Sequence, residues 1–240
     1  MPGIEGGLEA DLKTNSVYSN MKKIVDQKIV EKKDSVLFVE KPSGYEIENG
    51  IRSKERVVDL AEVFTPSWLV DEMLDSIPSD SLIPDTRTLE PSCGNGNFLV
   101  EIVARKLQQI EIVKDSTSNY FQIFKCLAST YGIDISSTNI LEARGRISDL
   151  IGGFVKRYKL EQDFSIYLSS LNYVIEKNIV NADYLKGADS VEIYEFTYPK
   201  HFYVSRRIFS FLELYELNSG DFVFPRPSIV LPTVYFKEMI

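Results

Sequence analysis

Three acidic residues and one glycine turn have the residue types and the spacing to bind a ligand. Glu90, Asp134 and Asp183 each stand at the end of a segment that is predicted to be a strand. Gly94 and Gly96 follow the first of these strands directly. Glycine adopts backbone angles that other residues avoid, and it lets a ligand lie close to the main chain. Because a helix is predicted after the turn, free N–H groups are expected there as well.

The turn lacks the two common phosphate-binding signatures. A dinucleotide fingerprint needs a third glycine where this chain has Leu99, and the Gly-Lys-Ser/Thr ending of a P-loop is absent. The carboxylates could instead bind other chemical groups. Glu90 could attract a cation, Asp134 could accept from the hydroxyls of a ribose, and Asp183 could accept from an exocyclic amine. S-adenosylmethionine carries all three. The alternative is that each acid only caps a helix or ends a strand.

The elements that would position these residues alternate along the chain. Strands are predicted over 86–91, 131–136, 178–185, 190–196 and, with proline breaks, 221–236. Helices are predicted over about 66–76, 97–111, 121–130, 137–155 and 206–217. Thr65 is expected to cap the first helix, with Pro66 at its first position. This order predicts an α/β fold with a mainly parallel central sheet, whose ligands lie beyond the carboxyl ends of the strands.

The composition limits the protein class and predicts the domains. The chain has 240 residues, of which 44% are hydrophobic, and its net charge of −8 argues against a self-sufficient nucleic-acid binder. An arm with a short helix and a strand is expected over 1–55, before one larger domain over 56–240. The chain has no apolar run long enough for a membrane helix, no secretory signal and only two cysteines, which favours the cytoplasm. The single histidine, His201, excludes a histidine-rich metal cluster, and no metal is expected.

Four motifs occur in the order found in one enzyme family. They are FTP at 64–66, EPSCGNGNF at 90–98, Asp134 with Ile135, and Asp183. Over roughly residues 57 to 185, the chain resembles the adenine-N6 DNA methyltransferases of bacterial restriction–modification systems and phages. The resemblance implies the Rossmann-like methyltransferase fold, with helices on both faces of the sheet, and S-adenosylmethionine as the cofactor. It implies that the cofactor is bound by Phe64, Thr65, Pro66, Glu90, Pro91, Cys93, Gly94, Asn95, Gly96, Phe98, Asp134, Ile135 and Asp183.

The catalytic signature of that family, Asn/Asp/Ser-Pro-Pro-Tyr/Phe, is absent from the chain. In the family it accepts hydrogen bonds from the target amine and stacks on the flipped-out base. The stretch EFTYP stands in its place, and Glu195 and Tyr198 are the candidate catalytic residues on the substrate side. The alternative is that 191–196 is a plain core strand and that the chemistry is altered or lost.

Three hypotheses about function follow from the resemblance. The first, which the sequence favours, is an S-adenosylmethionine-dependent DNA methyltransferase of a restriction–modification or phage system, specific for adenine N6. The second is a catalytically degenerate cofactor-binding subunit of a restriction or defence complex. The third is methylation of RNA, protein or a small molecule. Only 57 residues follow Asp183, too few for the usual target-recognition domain, so DNA and a separate specificity subunit are the expected partners. Arg206 and Arg207 could touch nucleic acid, although a solvated helix start is the preferred interpretation.

Overall fold

The computed structural model describes residues 65–185, 191–210 and 226–239, all within one compact unit that spans Tyr45–Ile240. The predicted arm over 1–55 and Phe64 lie outside the described residues. The described helices are α1 (Ser67–Asp75), α2 (Asn97–Gln108), α3 (Ser116–Ala128), α4 (Ser137–Arg157) and α5 (Glu161–Asn178). The described strands are β1 (Thr88–Glu90), β2 (Thr130–Asp134), β3 (Ile179–Asn181), β4 (Glu192–Lys200), β5 (Tyr203–Ser210) and β6 (Ile229–Tyr235). Short 3₁₀ helices cover Ser79–Leu82 and Phe236–Glu238.

A parallel sheet holds the first three strands in the order β1-β2-β3. Glu90 of β1 is level with Gly132 of β2, and Asp134 of β2 is level with Asn181 of β3. Every residue of β2 is buried, as is usual for a central parallel strand. The predicted mixed α/β class is therefore confirmed, and the strand ends that carry Glu90 and Asp134 share one edge of the sheet.

The strands after Asp183 do not extend the parallel sheet. β4, β5 and β6 form a separate antiparallel sheet in that order, so the prediction of one mainly parallel sheet is correct only for the first three strands. The helix predicted over 206–217 is wrong for residues 206–210, which belong to β5. Alternate residues Val204, Arg206 and Ile208 are buried there, and this period of two is the period of a strand. Residues 211–217 lie outside the described residues.

The helix starts show which local signals decide the elements. Asp115 accepts hydrogen bonds from the backbone N–H groups of Thr117 and Ser118, so α3 begins within the polar segment before the predicted helix 121–130. Ser136 caps α4 by accepting from Asn139 N–H. The cap predicted at Thr65 is wrong, because Pro66 is the N-cap of α1 and no side chain caps it.

The main core lies among the helices and both sheets, and it includes the buried cation Lys106. The main cluster joins α2, α3, α4 and α5 and includes Leu99, Phe124 and Ile147. Nζ of Lys106 on α2 is fully buried among five oxygens, 2.7–3.2 Å away, which belong to residues at or just before the starts of β1 and β2. This ammonium satisfies backbone and hydroxyl acceptors, so it ties α2 to the amino-terminal edge of the sheet.

Candidate ligand-binding site

A tight turn joins β1 to α2. Gly94 and Gly96 both have positive φ angles, 52° and 89°, in the region that favours glycine. Gly96 N–H donates to the Cys93 carbonyl oxygen at 2.9 Å, and Cys93 N–H donates to Ile133 of the neighbouring strand at 2.8 Å. The turn is therefore anchored to β2 before the chain enters the helix at Asn97.

The second glycine also permits a close approach between two helices. A Cβ added at Gly96 would lie 2.8 Å from the Cβ of Ala143 on α4. Such a separation is shorter than real Cβ atoms show, so a side chain at 96 would push α4 away from the turn. Glycine is required here both by the backbone angle and by the packing.

Asp134, at the end of β2, holds the turn with its carboxylate. Oδ2 accepts from Gly94 N–H at 2.8 Å. Oδ1 accepts from Ser136 N–H at 2.8 Å and from the side-chain amide of Asn139 at 3.3 Å. A carboxylate has about four acceptor positions, so Oδ2 keeps capacity for a further donor. The residue is only 8% exposed, so its carboxylate is largely enclosed by these donors.

The segment after β3 lies beside the same strand end. Ala182 N–H and the Asn181 side chain both donate to the Asp134 carbonyl oxygen, at 3.0 and 2.8 Å. The half-buried Asp183 accepts from Leu185 N–H at 3.0 Å. Ile135, the next residue along the chain, is 60% exposed.

Glu90 and Cys93 lie at the turn, where burial partly shields both side chains from water. Burial raises the pKa of Glu90, although a hydrogen bond from Ser92 N–H opposes the shift. Burial and the nearby Asp134 carboxylate raise the pKa of Cys93 to about 12, which keeps its sulfur a neutral thiol. Pro91 separates these two groups and is half-buried. A cationic ligand group near Glu90 would favour its ionised form.

The helix α4 contacts the turn through residues that were not predicted from the sequence. Glu142 Oε1 accepts from the Asn95 side chain at 3.1 Å. Arg146 Nη1 donates to the Asn95 carbonyl oxygen at 2.9 Å and to Asn97 Oδ1 at 2.7 Å. With Asn139, these residues recur at three- and four-residue steps along one helix face, and that spacing is the signal that could have identified them.

Thr65, Pro66 and Phe98 lie next to the turn rather than inside it. The Thr65 carbonyl oxygen accepts from the side-chain amide of Asn97 at 2.8 Å, which brings the segment before α1 to the start of α2. Phe98 packs against a small apolar cluster of α1 and α2 that includes Val70 and Leu74. Its side chain therefore supports the contact between these helices.

The two candidate catalytic residues are not near the turn. Glu195 forms ion pairs with Arg87 and Arg207, and Arg87 precedes β1, whereas Glu90 ends it. Tyr198 is half-buried against Phe121 of α3, with the ring centroids 5.5 Å apart. Nζ of Lys125 lies over the Tyr198 ring and pairs with Asp85, which also precedes β1. Glu195 and Tyr198 therefore lie towards the amino-terminal edge of the parallel sheet and away from the Asp134 group.

Arg206 and Arg207 point to opposite faces of β5. Arg206 is 7% exposed, and it donates to the Tyr173 hydroxyl of α5 at 3.3 Å. Arg207 pairs with Glu195 on the other face. The interpretation of this stretch as a solvated helix start is therefore wrong, because one arginine is buried under a helix and the other is paired.

Among the described residues, no group of three or more His, Cys, Asp or Glu side chains is placed to hold a metal ion. None of the described helices is both long and apolar enough to cross a bilayer.

No protein-family model matches the sequence, and no match was found among curated proteins or solved structures.

Proposed function

We propose that this chain is an S-adenosylmethionine-binding domain related to the adenine-N6 DNA methyltransferases. The observation that carries the proposal is the bond from Gly94 N–H to the Asp134 carboxylate, at the shared edge of two parallel strands. It joins the glycine turn to the acid that the sequence motifs assign to the ribose. The carboxyl ends of parallel strands are where open α/β sheets bind their ligands.

The chemistry of the side chains fits this cofactor at three points. Oδ2 of Asp134 retains acceptor capacity for a ribose hydroxyl. The exposed Ile135 offers an apolar surface for the adenine ring. The partly buried Glu90 would be favoured in its ionised form by the cationic amino-acid end. Asn95, which is 1% exposed, also has a side-chain oxygen without a hydrogen-bond partner among the described residues.

Binding can be tested by equilibrium dialysis of the full chain against labelled S-adenosylmethionine. Asp134→Asn removes the charge and leaves one acceptor oxygen in place of two, so it can keep the bond to Gly94 or the bond to Ser136, and binding of a ribose hydroxyl weakens. Asp149→Asn is the matched control, because Asp149 is an exposed residue in the middle of α4. We expect saturable binding that is weakened by Asp134→Asn only. No saturable binding by the wild-type chain would refute the proposal.

The placement of Glu195 favours a second candidate, the degenerate cofactor-binding subunit. Its carboxylate is already paired with two arginines, away from the turn. A substrate-side role would require it to leave both partners and the edge of the sheet where they lie. We therefore favour a chain that binds the cofactor and depends on a partner for recognition and catalysis, over an independent adenine-N6 methyltransferase.

Methyl transfer separates these two candidates. The isolated chain would be incubated with tritiated S-adenosylmethionine and unmethylated DNA, with RNA and a protein extract as further substrates. The subunit proposal expects cofactor binding without transfer to any of them. Transfer to DNA that yields N6-methyladenine and is lost in Glu195→Gln would instead establish the chain as an enzyme with a variant site.

A further inference from the structure

We infer that Arg146 is the positioning residue that holds the glycine turn in its ligand-binding arrangement. It does so without belonging to the group of residues that would touch the ligand. The inference rests on the proposed function for its ligand, whereas the contacts that carry it belong to the fold alone.

One nitrogen of Arg146 joins two parts of the turn. Nη1 donates to the carbonyl oxygen of Asn95, between the two glycines, at 2.9 Å. The same atom donates to Oδ1 of Asn97, the first residue of α2, at 2.7 Å. A charged donor makes stronger hydrogen bonds than a neutral one, and both bonds are partly shielded from water. The turn and the helix start are therefore fixed relative to each other from α4.

The Asn97 side chain links Arg146 to the segment before α1 by hydrogen bonds. Its side-chain oxygen accepts from Arg146, while its side-chain nitrogen donates to the Thr65 carbonyl oxygen at 2.8 Å. Thr65 and Pro66 belong to one of the four sequence motifs, and the turn belongs to another. Arg146 therefore connects, through one amide side chain, two segments that the proposed cofactor must contact together.

The two glycines explain why the turn needs hydrogen bonds from Arg146 to hold its shape. Gly94 and Gly96 have more accessible backbone angles than any other residue, so a turn built on them loses more entropy when a ligand orders it. A turn that is already held in its bound shape avoids that loss, which is the advantage of preorganisation. Loss of Arg146 should therefore loosen the turn even when no ligand is present.

A matched control lies two residues away on the same helix. Arg144 donates to the carbonyl oxygens of Glu176 and Ile179, at the junction of α5 and β3, and none of these bonds involves the turn. Arg146→Met and Arg144→Met make the same chemical change at the two sites. Arg146→Lys is the rescue variant, because a single ammonium nitrogen can replace the single nitrogen that makes both bonds.

The test combines hydrogen exchange, thermal unfolding and titration with S-adenosylmethionine on the full chain. In Arg146→Met we expect faster amide exchange across residues 93–97 without ligand, and affinity weaker by roughly ten-fold. Arg146→Lys should recover most of both. Arg144→Met should lower the thermal midpoint, with exchange at 93–97 and affinity unchanged.

The outcomes distinguish this inference from the proposed function. Wild-type exchange at 93–97 in Arg146→Met would overturn the inference, as would an equal change in Arg144→Met. If the wild-type chain does not bind S-adenosylmethionine, the proposed function fails, and the ligand-free exchange comparison still decides whether Arg146 holds the turn.

Discussion

Substituting Gly96 with alanine tests whether the turn has the geometry described. The φ angle of 89° costs an alanine about 1–2 kcal/mol. The new Cβ would lie 2.8 Å from the Ala143 Cβ and 3.1 Å from its Cα, and such overpacking costs about 1–3 kcal/mol. Because both contacts are close to the backbone of α4, they cannot be relieved by rotating a flexible side chain. We expect Gly96→Ala to lower the free energy of unfolding by about 3 kcal/mol.

The same substitution at Gly152 should have the opposite sign. Gly152 lies within α4, and nothing stands within 4 Å of an added Cβ, so alanine should stabilise the helix by about 0.5–1 kcal/mol. Urea unfolding of the two variants and the wild type, followed by circular dichroism, measures both changes. The reasoning is refuted if Gly96→Ala lies within about 0.5 kcal/mol of the wild type, or if the two variants lose the same stability.

Three other predictions concern buried and paired groups. Burial lowers the pKa of Lys106 from 10.5 to about 8; in that range the unfolded chain holds a proton that the folded chain releases. From pH 8 to 10 in denaturant titrations, the wild type should therefore gain stability relative to Lys106→Met, at up to about 1.4 kcal/mol per pH unit. A wild type that loses stability relative to this variant over the same range would contradict the prediction. Glu195→Gln should lower the free energy of unfolding in urea by only about 1 kcal/mol, because the two arginine partners of Glu195 are 59% and 42% exposed. The same variant should leave cofactor affinity unchanged, and weaker cofactor binding would place Glu195 at the site. Burial raises the pKa of Cys93 and Cys126 to about 12, so neither thiol should react with a thiol reagent at pH 8 until the chain unfolds. Rapid reaction of either thiol in the folded chain would contradict this packing.

Local patterns were sufficient to predict the part of the site that follows β1 and β2. A short apolar segment, an acid at its end and two glycines specify a strand followed by a tight turn, and Gly94 and Asp134 are bonded in the structure. These features depend on neighbours within a few residues. They therefore carry their own physical signal in the sequence.

Long-range partners were not visible in the same way. Arg146 contacts Asn95 and Asn97 across about fifty positions of sequence, and no local motif marks an arginine on a helix as the holder of a distant turn. The helix α5 was not predicted. Residues 206–210 were predicted to be helical, and pairing with β4 and β6 decides for a strand.

The position of Glu195 and Tyr198 depended on topology. Their side-chain chemistry suited a substrate site, and the sequence placed them on a strand after Asp183. A strand that joins the parallel sheet would have carried them to the edge with Glu90 and Asp134. Because β4 pairs only with β5 within the described residues, they lie with Arg87 and Phe121 instead.

A calorimetric titration of the wild-type chain with S-adenosylmethionine, with ATP as the comparison ligand, tests the central claim most directly. S-adenosylmethionine has about 27 non-hydrogen atoms, and about −0.3 kcal/mol for each corresponds to a dissociation constant on the order of micromolar. The account predicts one site of about that affinity and much weaker binding of ATP, because the turn lacks a triphosphate-binding motif and Glu90 repels phosphate. Absence of heat with S-adenosylmethionine, or equal affinity for ATP, would contradict the account.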